Sequence, residues 1–319
     1  MRSAPTSLRP AVRQMFEPGD DRLEDVPRHW DTFLDTPPDG AGLSEARVVL
    51  LPVPYESTTS YRGGARYGPK AIITASRQLE DYDLELDKDI SEVGIYTAAE
   101  IEPDVSGPEA MVRLVKRIVR ASVAPGRLIG LLGGEHTVTV GAVQSFHRIY
   151  PDLSVLYLDA HADLRDEYMG TAWGHASVAR RLREICDIVL VGVRSLSAAE
   201  RRFIDEVRQP VFFWPPPVTD VEELAEQVLE SLSARVYVSV DLDVFDPSLM
   251  SAVGTPEPGG MGWEEVTGLL KAVAERREIV GFDITELSPE EGPESCAFTA
   301  AKLTYKLIGY ATSSKSRTV

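Results

Sequence analysis

The sequence predicts an α/β protein in which helices cover both faces of a mostly parallel sheet. From Arg127 onward, short apolar segments alternate with amphipathic segments, and each parallel crossover needs such a connection. Three apolar segments end in acidic or histidine residues, as strands do at the ligand-binding edge of such a sheet. No repeat, low-complexity tract or linker interrupts the pattern. We therefore expect one domain over residues 46–319, preceded by an irregular arm at 1–45.

The individual elements follow from the spacing of apolar residues. Unbroken or alternating apolar runs indicate strands, and apolar residues at helical spacing indicate helices. Pro69 marks a helix start, because proline at the first helical position loses no hydrogen bond. Strands are predicted near 46–53, 128–132, 153–159, 188–193, 211–214, 236–242 and 279–284. Helices are predicted from Gly68, over 108–123, and near 138–149, 175–185, 198–208, 219–233 and 263–276.

The arm at 1–45 is rich in proline, aspartate and arginine and has no sustained periodicity. Its isolated aromatic residues, Phe16, Trp30 and Phe33, suggest that part of it packs on the body of the protein or on a neighbouring subunit.

The composition limits the possible partners. There are 50 acidic and 33 basic residues, a net charge of −17, which disfavours nucleic acid and anionic membranes and suits cationic ligands. The two cysteines, Cys186 and Cys296, lie too far apart in sequence to suggest a disulfide framework or a thiolate zinc site. We expect a cytoplasmic protein, since the sequence also lacks a membrane-spanning run and the apolar stretch of a signal peptide.

A short apolar run, Val155–Leu158, ends in acid, imidazole and acid at every second position. If the chain stays extended, Asp159, His161 and Asp163 point the same way and converge. Burying such groups is costly unless a cation compensates them, and a divalent metal is the usual compensation for a carboxylate-rich set. This stretch therefore predicts a metal site.

Two further strand ends add candidate ligands. The alternating segment Arg235–Val244 places Asp241 and Asp243 on one side, where they would repel each other without a cation between them. The run ending in Gly133-Gly134-Glu135-His136 presents a histidine at a turn. Four aspartates and two histidines are enough for two metal ions with shared carboxylates.

These three motifs resemble those of the ureohydrolases, the arginase and agmatinase family. They read Gly133-Gly134-Glu135-His136, Asp159-Ala160-His161-Ala162-Asp163 and Ser239-Val240-Asp241-Leu242-Asp243. The similarity spans residues 48–309. One departure is visible: many members of the family have Asp where this chain has Glu135, which we do not expect to be a ligand.

The resemblance implies an arginase-type three-layer α/β/α fold with a central eight-stranded sheet, a homo-oligomer that is a trimer or hexamer, and a small cationic guanidino substrate. It also implies two Mn²⁺ ions per chain, one held by His136, Asp159, Asp163 and Asp241 and the other by Asp159, His161, Asp241 and Asp243. Ni²⁺ or Zn²⁺ stays an alternative, because ligand identity discriminates weakly among these metals.

The resemblance further assigns catalytic roles to His175, Glu286 and Asp163. His175 follows the loop 170–174 and matches the proton-transfer histidine of the family. Glu286, at the end of the last predicted strand, matches the glutamate that binds the guanidinium, and Asp163 is placed to accept a hydrogen bond from the attacking water. The implied reaction releases urea and an amine.

Agmatine, which would yield putrescine and urea, is the expected substrate. Arginases have Asn where this chain has Arg165, and that Asn contacts the substrate carboxylate. We expect Arg165 either to turn outward or to pair with Asp166 or Glu167, since it would otherwise repel the ammonium of agmatine. Aminopropylagmatine, guanidinobutyrate and arginine stay open as substrates, as does a non-catalytic metal-binding relative with a regulatory or scaffold role.

Overall fold

Eight parallel strands form the central sheet in a computed structural model that describes residues 29–37, 42–216 and 221–313. Within these residues the strands in chain order are β1 (Val48–Val53), β2 (Tyr82–Asp83), β3 (Lys88–Asp89), β4 (Ile95–Thr97), β5 (Leu128–Gly133), β6 (Leu153–Leu158), β7 (Asp187–Val193), β8 (Val211–Phe213), β9 (Arg235–Asp241) and β10 (Glu278–Thr285). The sheet order is β4-β1-β5-β10-β9-β6-β7-β8, and β2 and β3 form a separate antiparallel hairpin.

The described helices in chain order are α1 (Gly68–Ser76), α2 (Pro108–Ser122), α3 (Val138–Ile149), α4 (Val178–Arg183), α5 (Ala198–Val207), α6 (Val221–Glu230), α7 (Trp263–Arg276) and α8 (Ser295–Ser313). Short 3-10 helices at His175–Ser177 and Leu242–Val244 follow β6 and β9 respectively. No described helix is both long and apolar enough to span a membrane.

Two cores lie on opposite faces of the sheet, because successive side chains of a strand point to opposite sides. Val48 and Leu50 belong to a core with helices α1, α6, α7 and α8, whereas Val49 and Leu51 belong to a core with α2, α3, α4 and α5. Burial on both faces explains why these strands read as unbroken apolar runs. The predicted three-layer α/β/α fold is confirmed, and all of the sheet pairings are parallel.

Periodicity missed three described elements: the edge strand β4, the hairpin β2–β3 and the long helix α8. The first two are too short to show a period, and α8 is buried on most sides, which obscures its amphipathic pattern. Of the predicted arm, residues 1–28 and 38–41 lie outside the described residues, Phe16 among them. Phe33 is fully buried, as predicted for an aromatic residue that packs on the body.

The four strands β5, β10, β9 and β6 are neighbours at the centre of the sheet. Parallel strands end at the same edge, so the residues that follow these four strands meet there. Thr285 pairs with Asp241, and Leu158 pairs with Val240, which aligns the last residues of three strands. The topology therefore brings the acidic and histidine motifs to one place.

Candidate metal centre and active site

All six predicted metal ligands lie at this edge of the sheet. Ligand atoms within 4.8 Å of one another form two groups, one of His136, Asp159 and Asp241 and the other of Asp159, His161 and Asp243. Asp159 belongs to both groups, as expected of a bridging carboxylate. Asp163 belongs to neither group, and Asp241 belongs only to the first, although the resemblance implied that it would contact both ions. Both residues line a cavity beside the two groups.

His136 is held by contacts on both ring nitrogens. Its Nδ1 lies 3.2 Å from Asp159 Oδ2 and 3.3 Å from Asp241 Oδ2, whereas its Nε2 lies 2.8 Å from the hydroxyl of Ser239. Ser239 in turn donates a 2.7 Å hydrogen bond to the buried carboxylate of Asp283. These two consecutive hydrogen bonds favour a proton on His136 Nε2, which leaves the lone pair of Nδ1 to bind a metal.

His161 makes the corresponding contacts in the second group. Its Nδ1 lies 2.8 Å from Asp243 Oδ2 and 3.5 Å from Asp159 Oδ1, and its Nε2 lies 3.8 Å from Glu257 Oε1. The backbone amide of Ala160 donates to Asp243 Oδ1 at 3.0 Å. Asp243 lies in a 3-10 turn and not on the extension of β9, so the predicted strand pattern ends at Asp241.

Asp163 reaches the site by a turn instead of an extended strand. β6 ends at Leu158, and Asp163 has a φ of +50°, in the left-handed region that residues other than glycine rarely adopt. Its Oδ2 accepts a 2.8 Å hydrogen bond from Tyr157, whose ring stacks on His136 with centroids 4.5 Å apart. The extended geometry expected for this segment is therefore wrong. Asp163 nevertheless lines the same cavity as His161, and its Oδ2 lies 3.9 Å from His136 Nδ1.

The charges of the site fit divalent cations. Burial, together with the charges of Asp243 and Asp159, raises the pKa of Asp241 well above its usual value. Burial opposes protonation of His136, yet its contacts with Asp159 and Asp241 raise its pKa. Nearby positive charge would favour the ionised form of Asp241. Asp159 Oδ2 is buried and has no hydrogen-bond partner among the described residues. The carboxylate and imidazole groups of four aspartates and two histidines suit two divalent metal ions.

Arg194 supports the second group and was not predicted from the sequence. Its half-buried guanidinium donates hydrogen bonds to backbone carbonyl groups on three segments, those of Gly192, Asp243, Val244, Phe245 and Glu257. These bonds fix the turn that carries Asp243. A lone arginine after an apolar strand carries no signal of this role, because its acceptors are backbone atoms that any sequence provides.

A cavity of about 230 Å³ adjoins the two groups. Its lining includes residues from the predicted metal motifs and from the loops after β1, β6 and β7: Ser60, His161, Ala162, Asp163, Arg165, Tyr168, His175, Ala176, Ser195, Leu196, Ser197, Glu200, Asp241, Asp243, Thr255 and Glu286. Both predicted catalytic residues outside the metal motifs therefore face the same space as the metal groups.

Glu286 and His175 lie next to each other in this cavity, with His175 Nδ1 at 4.0 Å from Glu286 Oε1. Burial, reinforced by the charges of Asp241 and Glu135, raises the pKa of Glu286 well above its usual value. Burial lowers the pKa of His175, and its Nε2 has no hydrogen-bond partner among the described residues. A cationic substrate would favour the ionised form of Glu286, because opposite charges stabilise each other in a buried site.

Arg165 lines the cavity with 41% of its side chain exposed, and its acidic neighbour is Glu200 instead of the expected Asp166 or Glu167. Its Nε lies 4.0 Å from Glu200 Oε2, and its guanidinium carbon lies 4.6 Å from the centre of the Tyr168 ring. The expected partner Asp166 instead contacts Arg180 and Arg181. The reason is tertiary: Glu200, at the start of α5, faces the loop that carries Arg165.

Comparisons with known proteins agree with this geometry. A family model described as the arginase family matches residues 46–309. An N(1)-aminopropylagmatine ureohydrolase of Thermus thermophilus is 43% identical over 272 residues, covering 84% of this chain and 92% of the relative. An agmatinase of Pyrococcus horikoshii is 38% identical, covering 88% and 96%. The crystal structure of an agmatine ureohydrolase of Thermoplasma volcanium superimposes with a TM-score of 0.79 at 31% identity, covering 94% and 97%.

Proposed function

The chain is a ureohydrolase of the arginase family, and on that premise we propose that it hydrolyses agmatine to putrescine and urea with two Mn²⁺ ions. The observation that carries the proposal is the pair of His/Asp groups that share Asp159 beside Glu286. The complete set of acids and imidazoles argues against a non-catalytic relative. We further propose a cytoplasmic homo-oligomer, a trimer or hexamer.

In this proposal His136, Asp159, Asp163 and Asp241 hold one ion, and Asp159, His161, Asp241 and Asp243 hold the other. The chemistry that bound divalent ions would supply is a lowered pKa of water, and so a nucleophile near neutral pH. The support from the chain is the buried, unpartnered Oδ2 of Asp159 and the tautomer that Ser239 favours for His136.

The proposed roles of the other groups follow from where they lie. Asp163 orients the attacking water through its carboxylate, which Tyr157 holds by a hydrogen bond. Glu286 binds the guanidinium: one oxygen accepts the His136 amide hydrogen, so the other can accept from the substrate. His175 delivers a proton to the departing amine nitrogen, a task that suits an imidazole whose Nε2 has no hydrogen-bond partner among the described residues.

The surroundings of Arg165 in the cavity lining support a cationic tail over a carboxylate. Arg165 is the cation of the lining there, but its charge is compensated by Glu200 and its guanidinium lies near the Tyr168 ring. A substrate carboxylate would have to compete with Glu200 for Arg165. An ammonium group instead suits a chain with a net charge of −17, because a negatively charged surface attracts cations.

N(1)-aminopropylagmatine is the second candidate substrate, favoured by two observations. The relative with 43% identity carries that activity in its name. In addition, the cavity lining includes Ser60 and Tyr168, and the Arg165 side chain is 41% exposed, so a longer amine tail has a path to solvent.

The test is urea release by Mn²⁺-loaded protein from agmatine, N(1)-aminopropylagmatine, arginine and 4-guanidinobutyrate, with kcat/KM measured for each at one pH. We expect one of the first two compounds to exceed arginine by at least about 10²-fold, because a buried carboxylate without a partner costs several kcal/mol. A preference for 4-guanidinobutyrate or arginine would contradict the proposed substrate class. A parallel comparison of Mn²⁺, Ni²⁺ and Zn²⁺ tests the metal.

A further inference from the structure

Glu135, the residue that departs from the family pattern, is a fully buried carboxylate with four hydrogen-bond donors. Its Oε2 accepts from the backbone amides of Ser57 and Thr58, each at 2.7 Å. Its Oε1 accepts from the hydroxyl groups of Thr58 at 2.9 Å and Thr137 at 2.8 Å. A buried carboxylate with this many donors is well satisfied, so Glu135 belongs to the protein scaffold and joins neither metal group.

Three of the four donors to Glu135, the amides of Ser57 and Thr58 and the Thr58 hydroxyl, belong to the loop after β1. The chain comes very close there: a Cβ on Gly134 would lie 2.1 Å from the carbonyl oxygen of Tyr55, so only glycine permits this approach. The amide of Glu135 also donates to that oxygen at 2.8 Å. The loop is therefore fixed to the first metal motif before it reaches Ser60 in the cavity lining.

Thr58 extends the network to the candidate proton donor. Its hydroxyl donates to Glu135, and the same oxygen accepts a 3.0 Å hydrogen bond from the backbone amide of His175. Gly174 keeps this contact close, since a Cβ there would lie 3.1 Å from the Thr58 hydroxyl oxygen. A single hydroxyl group thus connects Glu135 to His175.

The ring of His175 needs such an anchor. Its Nε2 has no hydrogen-bond partner among the described residues, and its Nδ1 lies 4.0 Å from the nearest oxygen of Glu286. The ring orientation must therefore come mainly from the position of the backbone, which Thr58 holds. Proton transfer is sensitive to such placement, because small displacements of a catalytic group lower the rate strongly.

We propose that Glu135 and Thr58 are positioning residues, which act through the hydrogen bond from Thr58 to the His175 amide to place the His175 ring for proton transfer. The proposal rests on the function proposed above for His175. It also gives a physical reason for glutamate at position 135: the longer side chain reaches four donors on two segments, and a shorter aspartate would lose some of them.

The experiment compares three substitutions in Mn²⁺-loaded full-length protein. Thr58→Val keeps the shape of the side chain but removes the hydroxyl, whereas Thr58→Ser keeps the hydroxyl. Thr137→Val is the matched control, since it removes a donor to the same oxygen of Glu135 without touching His175. We expect Thr58→Val to lower kcat about 10-fold with KM and metal content nearly unchanged, and Thr58→Ser to restore most of the rate.

Thr137→Val should lower the melting temperature but leave kcat near the wild-type value. Equal losses of kcat in Thr58→Val and Thr137→Val would overturn the proposal, as would a normal kcat in Thr58→Val. Glu135→Asp, tested alongside, should resemble Thr58→Val.

His175→Ala separates this inference from the proposed function. We expect it to lower kcat by roughly 10²-fold with metal content unchanged, the scale of one proton-transfer group. The Thr58→Val substitution should then cause little further loss in the His175→Ala background, because residues that act through one group are not additive. If the losses of kcat in the two substitutions were fully additive, the positioning role would be overturned and the role of His175 would stand. A fully active His175→Ala protein would overturn both the role of His175 and the positioning role.

Discussion

The carboxylate of Glu286 accepts a 2.7 Å hydrogen bond from the backbone amide of His136, although 150 residues separate them. The amide of Glu286 donates in turn to the carbonyl oxygen of Gly134 at 2.9 Å. Glu286 has a φ of +65°, a left-handed conformation that turns the chain at the end of β10. The candidate guanidinium-binding group and the first predicted metal motif are therefore held as one unit, so under the proposed function the substrate would be positioned relative to the metal ions by these two hydrogen bonds.

Replacing this carboxylate tests the role of Glu286. Glu286→Gln keeps an oxygen that can accept the His136 amide hydrogen but loses the negative charge that pairs with a guanidinium. We expect kcat/KM to fall by at least about 10²-fold, because a charged hydrogen bond in a buried site is lost, while the metal content stays at the wild-type value. Steady-state kinetics and metal analysis measure the two effects.

The control is Glu278→Gln, at the exposed start of β10, where Glu278 pairs with Arg235. It should leave the kinetics unchanged. If Glu286→Gln kept its kcat/KM, the guanidinium would have to bind elsewhere.

Asp159 belongs to both ligand groups, so replacing it should weaken the binding of both metal ions. Wild-type protein should bind about two Mn²⁺ per chain and lose activity on chelation, and Asp159→Ala should retain far less than one equivalent. Elemental analysis after gel filtration gives the count. Asp152→Ala, at an exposed aspartate, is the matched control, and this variant should bind metal as the wild-type protein does. Fully active wild-type protein with a single ion per chain would rule out the binuclear site.

Arg165 should limit the choice of substrate without being needed for hydrolysis. Arg165→Gln removes a positive charge from the cavity lining, so the repulsion of the substrate ammonium should fall. We expect kcat/KM for agmatine to stay the same or to rise, and that for any carboxylate-bearing compound to fall further, since Arg165 is a cation in the described lining.

The informative quantity is the ratio of kcat/KM for agmatine to that for 4-guanidinobutyrate, before and after the substitution. Arg201→Gln provides a control, because Arg201 pairs with Asp205 on the outer surface of α5. A lower ratio in Arg165→Gln would mean that Arg165 helps to bind the amine substrate, contrary to our expectation.

Glu85 should make stability depend on acid pH. Burial alone would raise its pKa, but hydrogen bonds from Lys306, Lys271 and Tyr310 lower it to about 2. A carboxylate with a lowered pKa in the folded state stabilises the protein above its unfolded pKa, and this contribution is lost as pH falls toward about 2. We therefore expect the melting temperature to decrease from about pH 5 downward.

The side chain is about a third exposed, so the effect should be modest. Glu85→Gln should melt at a lower temperature than wild type at pH 7, and the difference should shrink toward pH 3. Thermal unfolding of Glu85→Gln beside Glu102→Gln, an exposed loop substitution, measures it. A pH-independent difference between the two variants would show that charge is not the cause.

The elements that the sequence predicted well are those whose signals are local. Seven of the eight sheet strands were predicted because each carries its own apolar run, and the ligand candidates were predicted because they directly follow those runs. The eighth strand, Ile95–Thr97, has only two consecutive apolar residues and is recognisable only by its pairing with Val48–Leu50. Periodicity contains no information about such a partner.

By itself the sequence determined the class of fold and the strand ends that carry Asp159, His161 and Asp241. It also indicated that these residues need cations beside them. Both follow from residues that are neighbours in sequence, through side-chain alternation and the cost of burying charge. Only the tertiary structure decided which oxygen each donor meets. The link from Thr58 to Glu135 crosses 77 residues, and Arg165 pairs with Glu200 and not with its sequence neighbours. These contacts depend on the order of strands in the sheet, which brings distant loops to one edge, and no local pattern specifies that order.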